Sequence, residues 1–173
     1  MKPKPAPKMI YLSRDDIEFI RNAMSLRQLA GKAIEVMTRM PGPIRWVAGP
    51  LTSGTMSPAK NRERLHRTIL HYKVRGVPTF NYLPFERRAR AILQWEIGRG
   101  SNLSRKQHLR LQERLRDGFY APIFASGFVG ELRIMPGSDE SLNVQWMRGY
   151  ANAKRIPTKD ISEDLVSAAQ QSQ

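Results

Sequence analysis

The chain has 173 residues, room for one domain with a buried core. Lys and Arg number 29 against 15 Asp and Glu, a formal charge of +14, so polyanions or anionic small molecules are the expected partners. The absence of cysteine excludes disulfides, Cys-ligated zinc and thiol nucleophiles, and no stretch approaches the roughly 18 uninterrupted apolar residues of a membrane span.

Residues 1–8, MKPKPAPK, alternate Lys and Pro and predict a disordered, extended basic arm. Arg14, Asp15, Asp16 and Glu18 interrupt the apolar run a signal peptide would need, so a cytoplasmic location is expected. Residues 9–43 read as one long N-terminal helix and its stop. Ser13 is the N-cap, Asp15 and Asp16 suit the positive helix start, and Ile17, Ile20, Met24, Ala30, Ile34 and Met37 recur near helical spacing until Pro41-Gly42-Pro43. Ile44–Gly49, IRWVAG, is a short apolar run that predicts a buried strand.

Ser57-Pro58 is a cap followed by a first-turn proline, and Leu65, Ile69 and Tyr72 give the next helix one apolar side up to Gly76. Val77–Leu83, VPTFNYL, predicts a second strand, completing a right-handed βαβ unit with parallel pairing. The stretch from about 84 to 128 is an arginine-rich, helical insertion, with Ser104 capping a helix through Arg116. Between residues 60 and 116 there are 15 Lys or Arg against 4 acids, so +11 of the +14 is concentrated there. Val129–Met135 predicts a third strand, Leu142–Lys154 a helix, and Arg155-Ile156-Pro157 the start of a last short strand. Residues 159–173 read as a polar tail that frays. The expected architecture over 44–158 is α/β: a Rossmann-like or flavodoxin-like parallel sheet of about four or five strands with flanking helices, preceded by the N-terminal helix.

Two loops carry the chemistry. The first, GPLTSG, offers Gly49, Pro50, Thr52, Ser53 and Gly54 at the carboxyl end of a strand, where open α/β sheets bind ligands and a following helix start favours a phosphate. It is neither GxGxxG nor GxxxxGK[ST], which removes support for dinucleotide and P-loop NTPase readings. The second lies in MPGSDESLNVQWMRGYA, where Gly137, Ser138 and Ser141 precede a helix start. Asn81 and Tyr82, at the end of the second strand, are placed to line the same crevice, and Trp46 to stack a base. His66 and His71, five residues apart, sit about 140° apart on a helix, so no metal site is expected, nor any cofactor. No G-x-S-x-G elbow surrounds a serine.

The segments strand-AGP-x-x-x-G early and strand-x-PG-x-x-x-S-L-x-x-x-x-x-x-G-x-A late resemble the nucleoside 2-deoxyribosyltransferase-like superfamily, which includes 2′-deoxynucleoside 5′-phosphate N-hydrolases and many small bacterial and phage proteins. The resemblance spans roughly residues 44–158 and implies a nucleoside or nucleotide partner and cleavage or transfer at the base–deoxyribose bond. The family's late segment has the form S-x-G-x-x-x-E-x-G-x-A, its Glu being the nucleophile. Ser141, Gly149 and Ala151 match, but Asn143 stands at the Gly position and Met147 at the Glu position. A thioether cannot form the glycosyl ester or stabilise an oxocarbenium ion. Two alternatives follow: Asp139 or Glu140, in the same loop, supplies the carboxylate from a shifted position, or the pocket binds a nucleotide without cleaving it.

The rival reading is a non-enzymatic nucleic-acid-binding protein on the same fold. Arg87, Arg88, Arg90, Arg105, Lys106 and Arg110 would contact the phosphates of DNA or RNA, with interleaved aromatics to stack bases. A third reading is a homo-oligomer assembled through the N-terminal helix.

Overall fold

The computed structural model describes residues 12–97 and 103–171; the basic arm predicted over 1–8 lies outside the described residues. The N-terminal helix is two helices, α1 (Arg14–Asn22) and α2 (Leu26–Thr38). The break falls where Ala23 leaves helical geometry at ψ 135° and Ser25 caps anew, its hydroxyl accepting from the Gln28 N–H. Ser13 and Asp16 form a reciprocal capping box, each side chain accepting from the other's backbone N–H.

β1 (Ile44–Ala48) follows, then α3 (Pro58–Val74), α4 (Leu83–Ile97) and α5 (Arg105–Leu115). A π-helical turn over 116–120 joins α5 to the short α6 (Ala121–Ala125), and β2 (Val129–Ile134), α7 (Leu142–Ala153), β3 (Thr158–Asp160) and α8 (Glu163–Gln171) complete the chain. The sheet is open, parallel and three-stranded in the order β1-β2-β3. Gly130 is the extra residue where Ile44 pairs with Val129 but Arg45 with Glu131, and a Cβ there would stand 2.6 Å from Pro43 Cβ.

Among the described residues the sheet has three strands rather than the four or five expected. Val77–Leu83 makes a single parallel bridge, Arg45 to Thr79, in which Arg45 N–H donates to the Pro78 carbonyl and Phe80 N–H to the Arg45 carbonyl. Prolines at 78 and 84 limit the ladder, and Asn81 Oδ1 accepts from the Leu83 N–H to begin α4 instead. The bridged segment still occupies the edge of β1 opposite β2. The first crossover from β1 therefore runs to one side of the sheet and the crossover after β2 to the other, so the strand order reverses between β1 and β2. The tail expected to fray is instead held as β3 and α8. Val166 and Ala169 are buried, Arg64 pairs with Glu163 at 2.7 Å, and Arg67 donates to the Gln170 carbonyl at 2.6 Å.

The core lies around Trp46, which is fully buried, stacks on Tyr82 at 4.3 Å and 9°, and meets Tyr120 and Phe124 edge-on at 6.1 and 5.2 Å. Aromatics from β1, the 77–82 segment and the insertion thus pack as one cluster, which fixes the insertion over the end of the sheet. No helix among the described residues is long and apolar enough to cross a membrane.

Candidate functional site

At the carboxyl ends of β1 and β2, where the strand order reverses, the structure holds a crevice of about 150 Å³. The loop after β1 gives it Gly49, Thr52 and Ser53; the loop before α7 gives Glu140 and Ser141; and α7 gives Asn143 and Met147. Tyr82, Arg90, Gln112 and Tyr120 close the far side. A second cavity of about 390 Å³ shares Ser53 and Glu140 with it and is lined by Pro50, Gly54, Gly137 and Asp139, together with the ion-paired Arg64 and Glu163.

The two loops approach closely. A Cβ on Gly49 would stand 2.9 Å from Met135 Sδ, and Gly54 and Gly137 both take positive φ, 85° and 76°, with the carbonyl of Gly137 3.7 Å from the Gly54 Cβ position. Asn61, at the start of α3, donates through Nδ2 to the Ser53 carbonyl at 3.0 Å and so holds the first loop. In the second loop the Ser138 hydroxyl donates to the Met135 carbonyl at 2.6 Å, and the Ser141 hydroxyl caps α7 by accepting from the Val144 N–H. These serines shape the loop. Ser53 differs: its Oγ is buried and has no hydrogen-bond partner among the described residues.

The inner wall is a charge cluster that sequence reasoning missed. Glu86 is fully buried on α4, and its Oε1 accepts from Arg90 Nε one turn on; the Arg90 side chain is only 12% exposed. Glu86 Oε2 and Trp46 Nε1 are buried without a partner among the described residues. Burial and the Glu86 charge hold the Tyr82 phenol well above its ordinary range, and the same two causes, joined by Tyr82, do so for Tyr120. Burial alone would lower the Arg90 pKa, but Glu86 and the two tyrosines raise it. Both phenols are therefore neutral and Arg90 charged at any physiological pH. The wall presents a fixed cation and neutral hydroxyls, with the Glu86 carboxylate buried against Arg90. The available signal was the Glu86–Arg90 spacing of four, an acid one turn before an arginine and directly after the aromatic run FNYLPF.

The predicted residues therefore separate. Gly49, Thr52, Ser53, Tyr82, Glu140 and Ser141 meet at the crevice; Pro50, Gly54, Gly137 and Asp139 meet at the adjoining cavity; Ser138 is buried behind the loop. Asn81 is turned away to a third depression. Trp46 is core beneath the crevice rather than a free stacking platform. Of the six basic residues assigned to nucleic acid, Arg90 faces inward to Glu86; Arg87 and Arg88 line the third depression; and Arg105, Lys106 and Arg110 stand exposed on α5. No group of His, Asp or Glu among the described residues is disposed to hold a metal ion. Comparison with known proteins finds no matching family model, no matching curated protein and no matching solved structure. The motif residues and the crevice geometry are what bear on function.

Proposed function

We propose that the protein binds a nucleoside or nucleotide in the crevice between the β1 and β2 loops, in the manner of N-glycosidases that act at the base–deoxyribose bond. One observation carries the reading: the two loops picked out by the motif resemblance converge on one crevice at the reversal of strand order. Met147, which stands where the related enzymes have their Glu, lines that same crevice. An unpartnered Ser53 hydroxyl and the charged Arg90 supply a hydrogen-bonding group and a cation for the sugar and phosphate. Of the two loop carboxylates, Glu140 lines the crevice and Asp139 only the adjoining cavity, so Glu140 is the acid that takes the catalytic role in this reading.

The test is incubation with a panel of deoxynucleosides and their 5′-monophosphates, with chromatographic detection of free base, beside Glu140→Ala, Asp139→Ala and Ser53→Ala. Free base that vanishes in Glu140→Ala alone supports turnover through Glu140. Saturable binding without free base, weakened in Ser53→Ala, supports a binding site that has lost catalysis with its Glu. No binding of any member of the panel refutes the reading.

A further inference from the structure

Helix α4 has two occupied sides. Arg90 lines the crevice with Glu86 buried against it, while Pro84, Arg87, Arg88 and Ala91, at helical spacing, face away into a groove of about 940 Å³ between α1, α3 and α4. The floor of this groove is apolar, made by Ile17, Ile20 and Leu83, and its walls carry Arg21 from α1, Arg62 from α3, and Arg87 and Arg88 from α4.

Like Arg75, Arg105, Lys106 and Arg110, these arginines lack an acidic partner among the described residues, and they are gathered around one recess. Arg64, Arg67, Arg90, Arg114 and Arg116 each pair with a carboxylate, whereas Arg21, Arg62, Arg87 and Arg88 have no acidic partner among the described residues. Glu63, the acid on the groove wall, is committed to Arg67 at 2.8 Å. Arg62 Nε is buried and makes no hydrogen bond among the described residues, a donor in want of an anionic oxygen. Four like charges gathered around a recess repel one another unless a polyanion neutralises them.

We infer that this groove is a binding site for single-stranded nucleic acid, its arginines taking successive phosphates and its apolar floor taking unstacked bases. A duplex would present only its backbone to the recess and leave the floor uncovered; an unpaired strand fills both. The groove is separate from the crevice and far larger than a mononucleotide phosphate requires, so the inference stands independently of the proposed nucleotide site.

Fluorescence anisotropy with a labelled oligothymidylate of about 20 nucleotides, titrated over a series of salt concentrations, tests it. Arg88 donates to the Ala23 carbonyl at 2.9 Å and supports the packing of α1, so the variants are Arg62→Ala and Arg87→Ala, with Arg87→Lys as the conservative partner. Each alanine variant is expected to weaken binding several-fold and to flatten the log–log salt slope by about 0.7, and Arg87→Lys to keep the wild-type slope. An α5 triple variant, Arg105→Ala/Lys106→Ala/Arg110→Ala, should bind within about twofold of wild type. The inference is overturned by wild-type protein that does not bind the strand, by loss of binding in the α5 triple variant alone, by equal affinity for duplex, or by binding of an acidic amphipathic peptide in place of the oligonucleotide.

Discussion

The Glu86–Arg90 pair allows a test that separates a structural ion pair from part of a ligand site. Glu86 is fully buried and the Arg90 side chain 88% so, inside a wall of Tyr82, Tyr120 and Trp46. Removing one member leaves the other as an uncompensated buried charge, which costs about 3–5 kcal/mol, a large part of the roughly 5–15 kcal/mol expected for the whole domain. At about 2–4 °C per kcal/mol for a chain of this size, Glu86→Leu and Arg90→Met should each lower Tm by about 6–20 °C. Removing both leaves no stranded charge, so the double variant should return to within about 2 kcal/mol of wild type, far from the sum of the singles. Urea denaturation of the four proteins, followed by circular dichroism, measures the cycle. Single variants that cost less than about 1 kcal/mol would mean the wall is wetted and screened, and additive losses in the double would mean the two groups do not act as a pair. Either result refutes the reasoning. The refolded double variant then answers the functional question: a nucleotide bound by wild type and lost here, with stability restored, requires the Arg90 cation as part of the site.

Three further outcomes are expected. Ser53→Ala removes a buried hydroxyl with no partner among the described residues, so it should leave stability unchanged or raise it by about 1 kcal/mol while weakening nucleotide binding; a clear loss of stability would show that the hydroxyl is already satisfied. Gly130→Ala drives a Cβ to 2.6 Å from Pro43 Cβ, with Ile44 N 3.4 Å away, at the extra residue of β2, and should cost about 1–3 kcal/mol in chemical denaturation. Asp16 is held below its ordinary pKa of 3.8: burial alone would raise it, but the Ser13 N–H, Arg39 at 2.7 Å and the Ser13 hydroxyl outweigh that. A depressed folded-state pKa gives stability that is complete above the unfolded value and lost as pH falls through the folded one. Asp16→Asn should therefore cost about 1–2 kcal/mol at pH 7, and that cost should shrink as pH falls below 3.8 through the depressed folded-state value; a difference independent of pH would exclude the charge as its cause.

What the sequence disclosed follows from which interactions are local. Caps and stops were legible because they lie within four residues: Ser13, Ser57, Ser104 and Ser141 all accept the N–H three residues on, and the strand cores IRWVA and VGELRI are continuous apolar-rich runs. The two loops were legible for the same reason, each being a strand end, a glycine and a helix cap in succession. What failed required partners far along the chain. VPTFNYL has strand composition, yet one bridge to Arg45 is all the sheet takes from it, because Phe80 and Tyr82 are drawn into the aromatic cluster around Trp46. The last 15 residues are polar as a string, and Glu163–Gln171 form a helix held by packing on α3, nearly 100 residues earlier. The arginine-rich segment read as one charged stretch because composition cannot say which cation has a carboxylate waiting for it. Folding divides it: Arg90 turns inward to Glu86, Arg114 to Glu96, and Arg87, three residues from Arg90 and with no acidic partner among the described residues, is left facing the groove. Two sides of one helix thus acquire opposite electrostatic fates, one neutralised and buried against the crevice, the other unneutralised and open. That division is invisible in a count of 15 bases against 4 acids.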